Sequence, residues 1–221
     1  MSAALKLRHE RPETLTDLLT RLGGVPPDRV RTKPAPGTAT EDDLLKAGKP
    51  ICELIDGVLV EKAMGDRESM LGTYIGSLIL QHITPDDLGV VIGEAGYIRL
   101  GEGSVRAPDA TFIPWAAFPN GEPPEDEAYW SVAPGLIVEV LSPTNTRAEI
   151  DRKLTEFSAA GTKLAWVIDP RAKTARAYTS AKKFKEIDET GTLDGGKVLP
   201  GFKLPLAQLF AVGRPRKKKP K

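Results

Sequence analysis

The sequence predicts an α/β protein with a mixed central sheet and a helix on each face. Three observations predict it. Gly135-Leu-Ile-Val-Glu-Val-Leu141 is a short apolar run of the kind that forms a strand covered on both sides. Residues 147–160 follow as an amphipathic helix. Leu164-Ala-Trp-Val-Ile-Asp169 then gives a second buried strand. Strand, helix, strand in that order is the signature of a crossover unit.

The earlier elements read in turn. Leu15, Leu18, Leu19 and Leu22 share one helical face within residues 13–22, and Gly23-Gly24 ends that helix. Pro26, Pro27, Pro34 and Pro36 mark 25–38 as a linker or extended arm. Thr40 caps a short helix over 40–47, with acids in its first turn. Residues 51–61 form two strands around Asp56-Gly57, a dipeptide that accepts the positive φ of a tight hairpin.

Residues 67–83 place Met70, Leu71, Tyr74, Ile75, Leu78, Ile79 and His82 at helical spacing, and Thr84-Pro85 closes that helix. Strands follow at 89–100 and 104–114, then a Pro-rich acidic loop at 119–135. In the 147–160 helix Ile150, Leu154 and Phe157 form the buried stripe, and Gly161 stops it. Residues 174–179 and 183–187 read as an outer hairpin. The domain division expected is an N-terminal extension and linker over 1–47, a main domain over 48–212, and a basic tail over 213–221.

Composition bounds the function. The chain has 221 residues, 40% hydrophobic and 28% charged, which excludes a wholly disordered protein. Its single cysteine, Cys52, excludes an intrachain disulfide and a Cys-rich zinc site. Two histidines, His9 and His82, lie far apart in sequence, which argues against a His-rich metal site. No run approaches the roughly 20 apolar residues of a membrane span, and the start lacks a signal-peptide core. A cytoplasmic protein without a membrane partner is expected.

The net charge of +1 hides an asymmetry. Arg214-Pro-Arg-Lys-Lys-Lys-Pro-Lys221 holds six cations and no anion, so the remaining residues carry a net −5. Such a tail is either a solvated end or a source of phosphate contacts.

Two acids stand where apolar residues belong. Asp109 lies at the centre of Val105-Arg-Ala-Pro-Asp-Ala-Thr-Phe-Ile113, and Glu139 interrupts Leu136-Ile-Val-Glu-Val-Leu141. A carboxylate buried alone costs several kcal/mol (on the order of 3–5), so each needs a cation. On neighbouring strands they could share a divalent metal, and oxygen-only ligation suits Mg²⁺. Lys153 sits about 60° around its helix from Ile150, on the flank of the apolar stripe, from where it could reach Glu139. The plain alternative is that these acids pair with a core arginine, and Arg106, Arg147 and Arg152 are the candidates. Trp115, Trp130 and Trp166 read as core or loop anchors.

Together, Glu53-Leu-Ile-Asp-Gly-Val-Leu-Val60, Arg106-Ala-Pro-Asp109, Ile137-Val-Glu-Val-Leu-Ser-Pro143, Asp151-Arg-Lys153, Phe157-Ser-Ala-Ala-Gly161 and Ala165-Trp-Val-Ile-Asp-Pro170 have a specific order and spacing. This pattern resembles the Uma-two family of restriction-endonuclease-like proteins, a bacterial group in the PD-(D/E)XK nuclease superfamily. The match covers roughly residues 40–210.

The resemblance implies a restriction-endonuclease-like fold and a DNA endonuclease using Mg²⁺, or Mn²⁺. It implies Asp109 and Glu139 as metal-binding acids, with the carbonyl of Val140 as a further metal ligand. The superfamily's lysine normally stands two residues after the second acid. Here that position is Leu141, so the resemblance points to Lys153 instead. Glu68 is a candidate catalytic acid on the first core helix, and Glu53 is the alternative. Where many relatives have histidine this chain has Arg67-Glu-Ser69, and Phe157 stands where tyrosine is common.

Two functions therefore remain from the sequence. One is a Mg²⁺-dependent endonuclease on DNA, acting as a homodimer because duplex cleavage needs two sites. The other is a catalytically silent nuclease fold serving as an interaction module.

Overall fold

The computed structural model describes residues 14–213. The basic tail, and His9, lie outside the described residues.

Helix α1 (Leu15–Arg21) starts at Thr14, whose hydroxyl accepts from the Asp17 N–H while Asp17 accepts from the Thr14 N–H. Helix α2 (Glu41–Lys46) repeats this device with Thr40 and Asp43. Strands β1 (Cys52–Ile55) and β2 (Val58–Glu61) form the expected hairpin. Asp56 and Gly57 hold φ of 48° and 71°, as a two-residue turn of that hand requires.

Helix α3 (Asp66–Ile83) buries Leu71, Ile75, Ile79 and Ile83. Met70, Tyr74 and Leu78 pack at the edge of the same cluster. The His82 ring lies edge-on to Phe202 and 3.0 Å from the Pro200 carbonyl, a packing role.

The two long strands expected over 89–114 are in fact four: β3 (Gly89–Gly93), β4 (Ile98–Gly101), β5 (Ser104–Arg106) and β6 (Ala110–Pro114). The chain turns after Gly93, where the Gly96 N–H reaches the Gly93 carbonyl. On the return it breaks at Ala107-Pro-Asp109, because Pro108 has no N–H to continue a ladder. As a result β4 and β5 join β1 and β2 in one four-stranded sheet, ordered β2-β1-β5-β4. Strands β3 and β6 join a second sheet.

That second sheet gains β7 (Leu136–Val140), then helix α4 (Arg147–Ala160), then β8 (Leu164–Asp169), β9 (Thr174–Tyr178) and β10 (Phe184–Ile187). Its order is β10-β9-β8-β7-β6-β3. Only β7 and β8 run parallel, with α4 as their crossover. The period of two along β7 divides its side chains. Leu136, Val138 and Val140 face α3, while Ile137 joins the cluster under α4. Glu139 therefore also projects to the α4 side. A final hairpin, β11 (Thr192–Asp194) with β12 (Lys203–Pro205), and helix α5 (Leu206–Phe210) close the α3 side. Trp166 is fully buried there, stacked on Phe202.

The Pro-rich arm is laid on the body. Leu18, Leu22 and Val25 pack against Ile55, Val58 and Val60. The N–H groups of Gly37 and Ala39 donate to the Gly57 carbonyl. A Cβ on Gly23 would lie 2.7 Å from the Glu149 backbone, so only glycine permits this approach to α4. No helix among the described residues is long and apolar enough to cross a membrane.

Candidate active site

The break at Ala107-Pro-Asp109 is also the seam between the two sheets, and the candidate site lies in it. Asp109 is buried at the start of β6. Its N–H donates to the Val138 carbonyl at 3.0 Å, and its Oδ2 accepts from the Val140 N–H at 2.6 Å. The carboxylate thus replaces the backbone acceptor that an unbroken β6 would have offered. Its other oxygen, Oδ1, lies 2.7 Å from Nζ of Lys62, just past the end of β2.

Glu139 and Glu53 are both within reach of Lys153. The ammonium lies 2.7 Å from Glu139 Oε1 and 2.8 Å from Glu53 Oε1. Glu53 is held further by the Ala107 N–H at 2.9 Å and by Arg106 at 3.0 Å. Arg106, itself fully buried, turns its other edge to Glu156 at 2.7 Å. Lys153 reaches the seam because it stands at the flank of the α4 stripe whose centre is Ile150, Leu154 and Phe157. A cleft lined by Lys62, Asp109, Glu139, Val140, Lys153 and Glu53, with Arg29 and Glu149 beside them, has about 10 Å³ of free room. That is about what one water needs.

Burial pushes the Glu139 carboxyl up to about 7, and the negative charges of Asp109 and Glu53 add to the rise. Lys153 and Lys62 oppose it without cancelling it. Burial acts on Glu53 in the same direction. There the charges of Lys153 and Arg106, with hydrogen bonds, outweigh it and hold the carboxyl down at about 2. One ammonium shared by two acids cannot serve both equally, and Glu53 has the additional donors. Lys153 loses charge stability by burial, yet Glu139 and Glu53 keep it above the ordinary lysine range.

Of the residues expected from sequence, the fold brings together Asp109, Glu139, Val140, Lys153 and Glu53. It does not bring Glu68 into the cleft. That side chain folds back over its own helix start, where Oε2 would lie 2.6 Å from a Cβ on Gly65. Glu53, the alternative acid, lines the cleft. The three arginines weighed as partners take other acids: Arg106 holds Glu53 and Glu156, Arg147 holds Asp151, and Arg152 holds Asp56 and Glu156.

Lys62 and the Arg29–Glu149 pair were missed. The Arg29 guanidinium spans both oxygens of Glu149, at 3.0 and 2.6 Å. No spacing in the sequence signals either, since Arg29 and Glu149 meet across the whole domain.

The donor chemistry is compatible with a hard divalent ion. It comprises two carboxylates and the end-of-strand carbonyl of Val140. Glu139 Oε1 is buried and makes no hydrogen bond of acceptable geometry despite the nearby ammonium. Among the described residues no group of three or more His, Cys, Asp or Glu side chains is placed to hold a metal. The donor set is therefore sparse: two carboxylates and a carbonyl.

The family profile Uma2, described as "Putative restriction endonuclease", matches residues 42–207. The chain belongs to the Uma2 family. A solved structure shares the fold: a crystal structure described as "a putative nuclease belonging to DUF820", from Anabaena variabilis ATCC 29413. It is 22% identical with a TM-score of 0.67, and the match covers 78% of this chain and 97% of that one. No curated protein matches the chain. The Uma2 profile spans every element of the seam, from β1 through α4, and leaves most of the N-terminal arm outside it.

Proposed function

We propose that this Uma2 protein is a divalent-metal-dependent endonuclease that hydrolyses phosphodiester bonds in DNA. The observation that carries the proposal is the convergence of Asp109, Glu139, Val140 and Lys153 from three separate elements into one cleft.

Asp109 and Glu139 would hold Mg²⁺ or Mn²⁺, with the Val140 carbonyl. When bound, such an ion polarises a phosphate oxygen and lowers the pKa of a coordinated water. Asp109 is oriented for this by the Val140 N–H, which fixes Oδ2 and leaves Oδ1 facing the cleft. Lys153 steadies Glu139 and would offer its third N–H to an incoming water or to charge developing on the phosphate. Glu53 and Arg106 act through Lys153 by fixing its position. Cleavage of both strands of a duplex would use two such sites, so we extend the proposal to a homodimer.

Asp109→Asn tests the assignment. It keeps a carbonyl oxygen for the Val140 N–H and removes the charge. Mg²⁺-dependent nicking of plasmid DNA should fall by about 100-fold or more, with the fold intact by circular dichroism. Undiminished nicking would sink the assignment.

The intact ion pairs also favour a second reading, a nuclease fold without catalysis. In that case Lys62 and Lys153 are permanent partners of the acids. Calorimetric titration with Mn²⁺ separates the two, because a silent protein of this kind would take up none.

A further inference from the structure

Lys62 contacts the one oxygen of Asp109 that is free to meet a metal. Oδ2 is committed to the Val140 N–H, and Oδ1 lies 2.7 Å from the Lys62 ammonium. The lysine side chain is only 6% exposed, yet its Nζ makes no hydrogen bond of acceptable geometry. The contact is an ion pair with a single carboxylate. Lys153 differs in having two carboxylates within 2.8 Å.

Charge counting points the same way. Set aside the self-contained Arg29–Glu149 pair. Three carboxylates, Glu53, Asp109 and Glu139, then face Lys62, Lys153 and the Arg106 guanidinium 3.0 Å from Glu53, a formally balanced set, since Glu156 on the far edge of Arg106 is also held by Arg152. A divalent ion would raise this to +2, and departure of one ammonium would relieve half of the excess. Lys62 is the one able to leave. Its backbone is pinned by its N–H to the Ile51 carbonyl at 2.8 Å, but four flexible methylenes separate that anchor from the charge. The free room in the cleft is about 10 Å³, too little for a hydrated ion while Lys62 stays.

We propose that Lys62 is a tethered counter-ion that occupies the metal-facing oxygen of Asp109 and is displaced when a divalent cation binds. This rests on the metal reading above and adds a regulation to it. The lysine neutralises the buried acid in the metal-free protein and sets a threshold concentration of metal below which the site stays closed.

Calorimetric titration of Mn²⁺ into the full chain and its variants tests this. Lys62→Met, which keeps the volume and removes the charge, should bind at least tenfold more tightly than the parent. Lys62→Arg, which keeps the charge, should not. In thermal melts without metal, Lys62→Met should unfold below the parent, and saturating Mn²⁺ should raise its Tm by more than it raises the parent's. If Lys62→Met fails to fold, Lys62→Gln is read in its place.

Equal or weaker binding by the neutral variant, with a parent that binds through Asp109, overturns the counter-ion role and leaves the metal reading standing. Absence of binding in parent and neutral variants alike overturns both.

Discussion

The ammonium of Lys153 lies 2.7 Å from the carboxylate of Glu139, although the two residues belong to different elements, α4 and β7. The position two residues after Glu139, where the superfamily pattern would put a lysine, is Leu141, which packs at the edge of the cluster under α4. The charge is delivered from the crossover helix instead, at the same end of the same strand.

Removing that charge should be costly. Lys153→Met leaves Glu53 and Glu139 buried with one ammonium fewer. A loss of about 3–5 kcal/mol is expected, as for breaking a buried pair. Urea unfolding at pH 7 measures it. Adding Glu139→Gln to Lys153→Met should recover part of the loss, since one of the two stranded charges is then gone.

Glu139 should make stability fall as pH rises. Its carboxyl is raised from 4.5 to about 7 in the folded protein, so the fold binds this proton more tightly than the unfolded chain does. The stabilisation is complete below about 4.5 and lost as pH rises through about 7. In metal-free buffer Glu139→Gln should gain on the parent between pH 5 and 8, by up to about 3 kcal/mol. Glu53, held down at about 2, has the opposite sign: its contribution is present above 4.5 and lost as pH falls toward 2. Denaturant midpoints across that range, for parent and variant, check both slopes. A parent curve that stays level between pH 5 and 8 would contradict the raised carboxyl.

The arm should depend on Arg29. Its guanidinium joins the arm to α4 through Glu149 and reaches the Glu61 carbonyl at 2.8 Å. Arg29→Ala strands the Glu149 charge and should cost about 2–4 kcal/mol. Limited proteolysis should then cut within residues 25–38 at protease levels that spare the parent.

The basic tail should act through phosphate charge if DNA is the partner. Deleting residues 214–221 removes six cations. The slope of log affinity against log salt should become shallower by up to about five. An unchanged slope in filter-binding or anisotropy titrations would show that the tail makes no DNA contact.

Much of this molecule is written locally. The Asp56-Gly57 turn, the Thr40 cap and the ends of α3 and α4 follow from the conformational limits of single residues and from a period of 3.6. The two acids of the site were visible because each breaks an apolar run. Pairing between strands was less legible. Alternation shows which face of a strand is apolar but not which neighbour it takes, so the hairpin over 89–114 read as one unit although it divides between two sheets.

What the sequence by itself determined is the main helices, the first hairpin, the strand–helix–strand unit over 136–169 and the presence of two misplaced carboxylates, because these are properties of short segments; the division of 89–114 into four strands, and β11, β12 and α5, were not legible. What only the tertiary structure decided is which cations answer them. Lys62 meets Asp109 across 47 positions of sequence, and Arg29 meets Glu149 across 120. Glu68 lies in the first turn of a correctly read helix, yet its carboxylate sits over Gly65 and does not line the cleft. Charge pairing in a buried seam depends on distances of about 3 Å. Such distances are set only when both sheets and the crossover helix have closed on one another.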